Sequence, residues 1–274
     1  MRRFERVDVG YRLSASITPG DGPVPVVCVN ALGTEQDQWD QVVPRLYLHT
    51  TVTYDRPGIG GSSGLPAHLV DRPRTFGALA DELRLLLDGL GIESPHVVVG
   101  HSIGALIARM YAARHDRHVA GLVLVDGTTA QHLATTHWPE RDGGEDCPGS
   151  SMLDIPESVS ELDAAASPQV PAVVLASAPG RWARLTPEEA AQYAPWTPEE
   201  LDREWQEGQR RLAESLGSKA LLVVADWAGH HIATDQPELV AACITAVVAA
   251  RGGRRVSIPA AQLRYAGGSC PTES

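Results

Sequence analysis

Neither a C-x-x-C pair nor an H-E-x-x-H stretch occurs in this chain, and its four cysteines stand far apart, at 28, 147, 243 and 270. Without clustered thiolates or paired helical imidazoles, no metal is expected. Cys28 and Cys243 fall inside apolar runs, so the cysteines read as reduced thiols of a cytoplasmic protein. Basic stripes are missing too, apart from a short patch from Arg251 to Arg255. With a net charge of −11, that disfavours nucleic acid as a partner. No apolar run reaches the roughly 20 residues of a membrane span. Residues Met1 to Asp8 carry arginines but lead into no apolar core of a signal peptide. What remains is a 274-residue chain of ordinary globular composition, long enough to build one large core.

Apolar runs alternate with helical patterns. Phe4 to Val9 and Tyr11 to Ile17 read as an antiparallel pair joined at Gly10. Val24 to Asn30, Thr50 to Tyr54, His96 to Val99, Gly121 to Val125, Ala172 to Ser177 and Ala220 to Ala225 read as buried strands. Between them lie helices such as 75–90, whose Leu79, Leu83, Leu86, Leu87 and Leu90 share one face before Gly91 ends it. A last helix begins near Pro237, a favoured first helical position. This rhythm predicts an α/β protein: a mostly parallel, eight-stranded sheet with helices on both faces. One domain is expected over 1–252. Residues 127–170 are polar with little periodicity and read as a lid-like insertion. Residues 181–216 hold two capping boxes, Thr186-Pro187-Glu188-Glu189 and Thr197-Pro198-Glu199-Glu200, and read as a helical excursion. Residues 253–274, with Gly267-Gly268, read as a flexible tail.

The chemistry is carried by Gly100-His101-Ser102-Ile103-Gly104. It sits between the β-branched run 96–99 and a helical pattern from Ala105 onward. Strand, G-x-S-x-G, helix is the setting of a nucleophile elbow, which presents a serine hydroxyl at the carboxyl edge of a sheet with a helix N-terminus behind it. A serine needs a base. Gly229-His230-His231 follows the 220–225 strand, and either imidazole could serve; adjacent residues point in different directions, so one of the two faces the serine. The Gly58-x-Gly60 stretch looks like a fragment of a dinucleotide fingerprint, but its sixth position is Ser63 and the strand before it is not the first of the sheet. No cofactor is expected.

Four blocks together resemble the α/β-hydrolase superfamily. They are Val27-Cys28-Val29-Asn30-Ala31-Leu32-Gly33 with Trp39 beyond, Tyr54-Asp55-Arg56-Pro57-Gly58-Ile59-Gly60-Gly61-Ser62-Ser63, the elbow, and Gly229-His230 with Asp235-Gln236-Pro237-Glu238. The resemblance implies Ser102 as nucleophile and His230 as base. It implies an oxyanion hole from the backbone N–H groups of Leu32 and Ile103. The family's usual His-Gly reads Asn30-Ala31 here, and Asn30 is expected to bond within the loop or reach substrate. The usual site of the triad acid, after the 172–177 strand, reads Ser177-Ala178-Pro179-Gly180-Arg181 and holds no carboxylate. Asp126, one strand earlier, is the expected acid, as in some members of the family; Asp226, Asp154 and Asp163 are alternatives. The expected partner is a small-molecule acyl substrate, an ester, lactone or thioester, against Trp138 and Trp182. An acyltransferase or cyclase, or a ligand-binding protein without turnover, would use the same fold.

Overall fold

The computed structural model describes residues 1–92, 95–135 and 152–271. Nine strands form one sheet: β1 (Arg3–Asp8), β2 (Arg12–Thr18), β3 (Val26–Val29), β4 (Thr51–Tyr54), β5 (His96–His101), β6 (Val119–Val125), β7 (Ala172–Ala176), β8 (Ala220–Ala225) and β9 (Gly268–Ser269). Their order is β1-β2-β4-β3-β5-β6-β7-β8-β9. The neighbours from β4 to β8 run parallel, and β1, β2 and β9 add antiparallel edges. This is the expected α/β sheet with one strand more.

The central strands are buried on both sides, which is why they read as continuous apolar runs. Alternate residues feed two cores. Val27, Val29, Val98, Leu122, Leu124 and Val174 face one layer, packed on α2 (Phe76–Gly89) and α3 (Ile103–Arg114), which follow the single turn α1 (Ala67–Val70). Leu79, Leu83, Leu86 and Leu87 of α2 fill this layer, and its start is fixed by Thr75, whose hydroxyl accepts from the Ala78 N–H at 3.1 Å. Cys28, Val97, Val99, Val123, Val125, Val173 and Leu175 face the other.

Two further helices lie between β6 and β7, α4 (Ala130–Thr135) and α5 (Ile155–Ala164). The insertion is only partly what its polarity suggested. Ser158 accepts from the Phe76 N–H and Glu161 from Thr75, the Gly77 N–H and Arg114, so α5 buttresses the start of α2 instead of hanging over the sheet edge. Residues 136–151, including Trp138, lie outside the described residues. Next come α6 (Pro187–Ala191) and α7 (Pro198–Ser215), and both capping boxes close as written. The turn α8 (Ile232–Asp235) and α9 (Pro237–Ala249) follow β8, and α9 fills the second layer.

The last segment departs from the expected flexible tail. Val256, Ile258 and Leu263 are buried in the second core, α10 (Ala260–Tyr265) packs beside α9, and β9 pairs with β8. Three apolar side chains spaced along a glycine-rich stretch were enough to dock it. Among the described residues no helix is long and apolar enough to cross a membrane.

Candidate active site

The strand order reverses at β3, which pairs with β4 on one side and β5 on the other. In such sheets the crevice at the carboxyl ends beside the reversal is where ligands bind. Register then brings three loops together. Val29 lies opposite Gly100, His101 opposite Val125, and Val125 opposite Leu175. The loop at 30–33, the serine turn and the residue after β6 are neighbours for that reason.

Ser102 has φ 55° and ψ −122°, a conformation non-glycine residues rarely hold. The turn is stitched in place: the Ser102 N–H donates to the Val125 carbonyl at 3.1 Å, and the Thr128 N–H donates to the Ser102 carbonyl at 3.1 Å. The flanking glycines are required by contact. A Cβ on Gly100 would stand 2.2 Å from the Gly104 carbonyl oxygen, and one on Gly104 would stand 2.5 Å from that of Val29. Because backbone atoms oppose both positions, Gly104→Ala is expected to destabilise the protein by at least the ~1–3 kcal/mol of an overpacked core. A thermal melt checks this; an unchanged melting temperature would mean that strand and helix do not cross so closely.

The Ser102 hydroxyl lies 3.4 Å from the Thr128 hydroxyl, a long contact, and makes no hydrogen bond to a histidine among the described residues. Behind it His101 is buried, with Nε2 2.8 Å from the His230 carbonyl oxygen. Burial and the neighbouring His230 push the His101 imidazole down to about 3, so it stays neutral, and its role is to pin the loop that carries His230.

The ring of His230 sits 4.7 Å, centroid to centroid, from that of His101. Its Nδ1–H donates to Asp126 Oδ2 at 2.7 Å, while Nε2 has no hydrogen-bond partner among the described residues. The side chain keeps 27% of its surface, so this face is reachable. His231 is exposed and turned to solvent. Of the two consecutive imidazoles, only His230 touches the carboxylate expected to orient it.

Asp126 is fully buried, with φ 41°, a left-handed conformation that aspartate tolerates better than most residues. Its carboxylate collects four donors. Oδ1 accepts from the Ser177 N–H at 2.9 Å and from the Trp205 indole N–H at 2.8 Å; Oδ2 accepts from His230 and from the Arg181 guanidinium. Burial alone would raise this acid, but Arg181 and the His230 hydrogen bond outweigh it and hold the carboxyl far below the usual range. The other carboxylates considered from the sequence are elsewhere: Asp154 caps α5, Asp163 is an exposed residue of the same helix, and Asp226 bonds through its N–H to Gly267 beside β9.

Three groups here were not singled out from the sequence. Thr128 holds the serine turn. Trp205 comes from α7, which also sends Gln206 to the Ser177 carbonyl at 2.9 Å and Gln209 to the Gly127 carbonyl at 2.7 Å. This helix is tied to the loops around Asp126 by three side chains. Arg181 stands where the family resemblance led one to expect an acid. The period of buried positions in α7 (Leu201, Trp205, Gly208, Gln209, Leu212) was the available signal for Trp205.

On the other flank, Asn30 is fully buried and does not face the crevice. It accepts from the Trp39 indole at 2.9 Å and donates to the carbonyls of Tyr54 at 2.9 Å and Thr34 at 3.2 Å. With its side-chain polar atoms used within the loop and on β4, it is a scaffold and not a substrate contact. Arg56 donates to the Asn30 and Ala31 carbonyls and so braces the loop that carries Leu32. The N–H groups of Leu32 and Ile103 have no partner among the described residues, and both residues line one narrow cavity with Arg56, Pro57, Arg74, Leu79 and Leu153. Trp182 is buried against Tyr193, Trp205 and Arg181, so it covers the arginine instead of lining open space. Among the described residues no cluster of histidine, cysteine and carboxylate side chains could hold a metal.

Comparison with known proteins agrees with this architecture. Residues 24–143 match the family model described as alpha/beta hydrolase fold. A Gibberella zeae AB hydrolase superfamily protein is 32% identical over 126 residues, covering 41% of this chain and 38% of that protein. The pimeloyl-(acyl-carrier protein) methyl ester esterase of Sodalis glossinidius is 31% identical over 125 residues, 44% of this chain and 43% of that one. These matches span less than half the length of either relative. Among solved structures, a thermophilic esterase from Thermogutta terrifontis superposes with a TM-score of 0.58 at 18% identity, over 89% of this chain and 97% of that one. The strand order, the serine turn and the matched segment agree, and the chain has the α/β-hydrolase fold.

Proposed function

We propose that this protein is a serine hydrolase that cleaves a small-molecule ester, lactone or thioester through an acyl-enzyme on Ser102. The observation that carries this reading is the His230–Asp126 pair: Nδ1 is committed to a buried carboxylate, which fixes the tautomer and leaves Nε2 as a free base beside the serine turn. Ser102 Oγ attacks the carbonyl carbon while His230 Nε2 takes its proton. The oxyanion that forms is received by the unpartnered N–H groups of Leu32 and Ile103, each worth about 3 kcal/mol when pre-aimed in a dry site. His230 then returns the proton to the leaving group, and water releases the acid by the same steps in reverse. The long Ser102–Thr128 contact is weak enough to give way when the hydroxyl turns to His230, and such bonds commonly tighten only with substrate present. The esterases among the relatives support the ester class, and at modest identity they support no particular acyl group.

The test is hydrolysis of p-nitrophenyl acyl esters of rising chain length. A burst of one nitrophenolate per chain followed by steady acid release is the expected result. A burst without acid release, relieved by an added alcohol or amine, would move the reading to an acyltransferase or cyclase. No burst at any chain length would count against the acyl-enzyme.

A further inference from the structure

A triad acid needs one donor, the imidazole, and Asp126 has four. Two oxygens offer about four acceptor sites, so this carboxylate is saturated. Three of its partners are neutral donors or the base itself. The fourth is a full positive charge. Arg181 Nη1 donates to the same Oδ2 that holds His230, and it stands 2.9 Å from His230 Nδ1. With Nδ1 protonated, that approach joins two donors and is no hydrogen bond between them. The guanidinium cannot swing aside. Its central carbon lies 4.5 Å over the ring of Trp182 and 4.2 Å over that of Trp205, and the side chain is 13% exposed. Stacking between two indoles and an end-on ion pair is a use of arginine's flat, delocalised charge that lysine matches poorly.

We propose that Arg181 is a positioning residue: by occupying the second acceptor site of Asp126 Oδ2 beside Nδ1, it sets how strongly the carboxylate holds the imidazolium of His230. This rests on the reading of His230 as the base. When Nε2 takes the serine proton, two cations share one anion, so the imidazolium is held less tightly than in an isolated Asp–His pair. The groups that face His230 are Asp126 and Arg181 on the acid side, His101 from β5, His231 next in the chain, and His132 from α4. His101 stays neutral, as above, and His132 is pushed down to about 4 by burial and by Arg181, so neither supplies a competing charge near neutral pH. Burial lowers the His230 imidazole first; the Asp126 hydrogen bond raises it; Arg181 lowers it again. The sign follows. The neutral, base-competent form persists to more acidic pH than for an ordinary histidine, and removing the guanidinium moves its protonation upward. The functional consequence is a hydrolase that keeps its base into the mildly acidic range.

The experiment is an NMR titration of ring-labelled histidine in Ser102→Ala protein, which requires no turnover, with His230 assigned by its loss in His230→Gln. In otherwise unsubstituted protein the His230 midpoint is expected below 6.5, the ordinary histidine value. Arg181→Gln and Arg181→Met move it upward; the methionine keeps the packing between the indoles. Arg181→Lys, which keeps the charge without the flat stacked fork, restores part of the downward displacement. Trp205→Phe, which removes a neutral donor to the other oxygen and keeps an aromatic face beneath the guanidinium, moves it much less than Arg181→Gln. In the active enzyme the acid limb of kcat/KM moves with the midpoint, so Arg181→Gln loses activity about tenfold relative to its own plateau for each unit the limb rises. A His230 midpoint at or above 6.5 in the parent protein, or the same midpoint with and without the guanidinium, overturns the proposal. If the midpoint moves as stated but no ester is turned over, the Arg181 inference stands and the substrate reading fails.

Discussion

Asp126→Asn is expected to lower turnover of an activated ester roughly 10⁴-fold, the loss that follows when a triad acid becomes an amide and the imidazole adopts the wrong tautomer. The surroundings make the effect severe. Asp126 accepts from two donors on each oxygen. An asparagine has one carbonyl oxygen and one NH₂, so whichever way it turns, its NH₂ meets two donors. Facing Ser177 and Trp205, it loses the loop anchors; facing His230 and Arg181, it repels both. The buried guanidinium also loses its counter-ion, and breaking a buried pair from one side costs about 3–5 kcal/mol. The variant is therefore expected to melt earlier as well as to turn over slowly. Steady-state kinetics with a thermal melt checks both. Near-normal kcat in a folded Asp126→Asn protein would place the acid elsewhere.

His230→Ala and His231→Ala are expected to separate by several orders of magnitude. Removing the base of a serine triad costs on the order of 10⁶-fold in kcat, about as much as removing the whole triad. The neighbour stands outside that unit: His231 is exposed, its ring 6.1 Å from that of His101 and 5.6 Å from that of His230, and it has no contact with Asp126. His231→Ala is expected to stay within about threefold of the parent, as exposed substitutions away from a site usually do. Parallel measurement of the two variants on one p-nitrophenyl ester decides it. Equal losses would mean that the two imidazoles work as a pair or exchange places.

Much of this site can be read from the chain because it is built from strand ends. A strand shows itself by its apolar run, and the residue just after it is then placed at the carboxyl edge. Ser102 and Asp126 follow that logic directly, and the register of β5, β6 and β7 brings them together; His230 lies in the loop five residues beyond β8. Arg181 and Trp205 escape it. They reach Asp126 from 55 and 79 residues away, and the apolar spacing of a helix as polar as α7 marks its one tryptophan, Trp205, as buried without showing that it ends on a carboxylate. Asn30 illustrates the opposite failure. A polar residue at a strand end looks like a substrate contact, yet its three partners are all within the loop and the neighbouring β4. The segment after 252 reads as flexible from its glycines, because Val256, Ile258 and Leu263 are too widely spaced to form a pattern, yet they suffice to dock it.

The expected catalytic unit stands or falls on whether the Ser102 hydroxyl is activated by the neighbouring imidazole. Reaction with a fluorophosphonate, read by mass spectrometry of the peptides, probes that directly, since the reagent captures a serine made nucleophilic and needs no knowledge of the natural acyl group. The account predicts one adduct per chain, on Ser102, absent in Ser102→Ala and greatly slowed in His230→Ala. Adduct formation at the same rate with and without His230, or on a different residue, would contradict it.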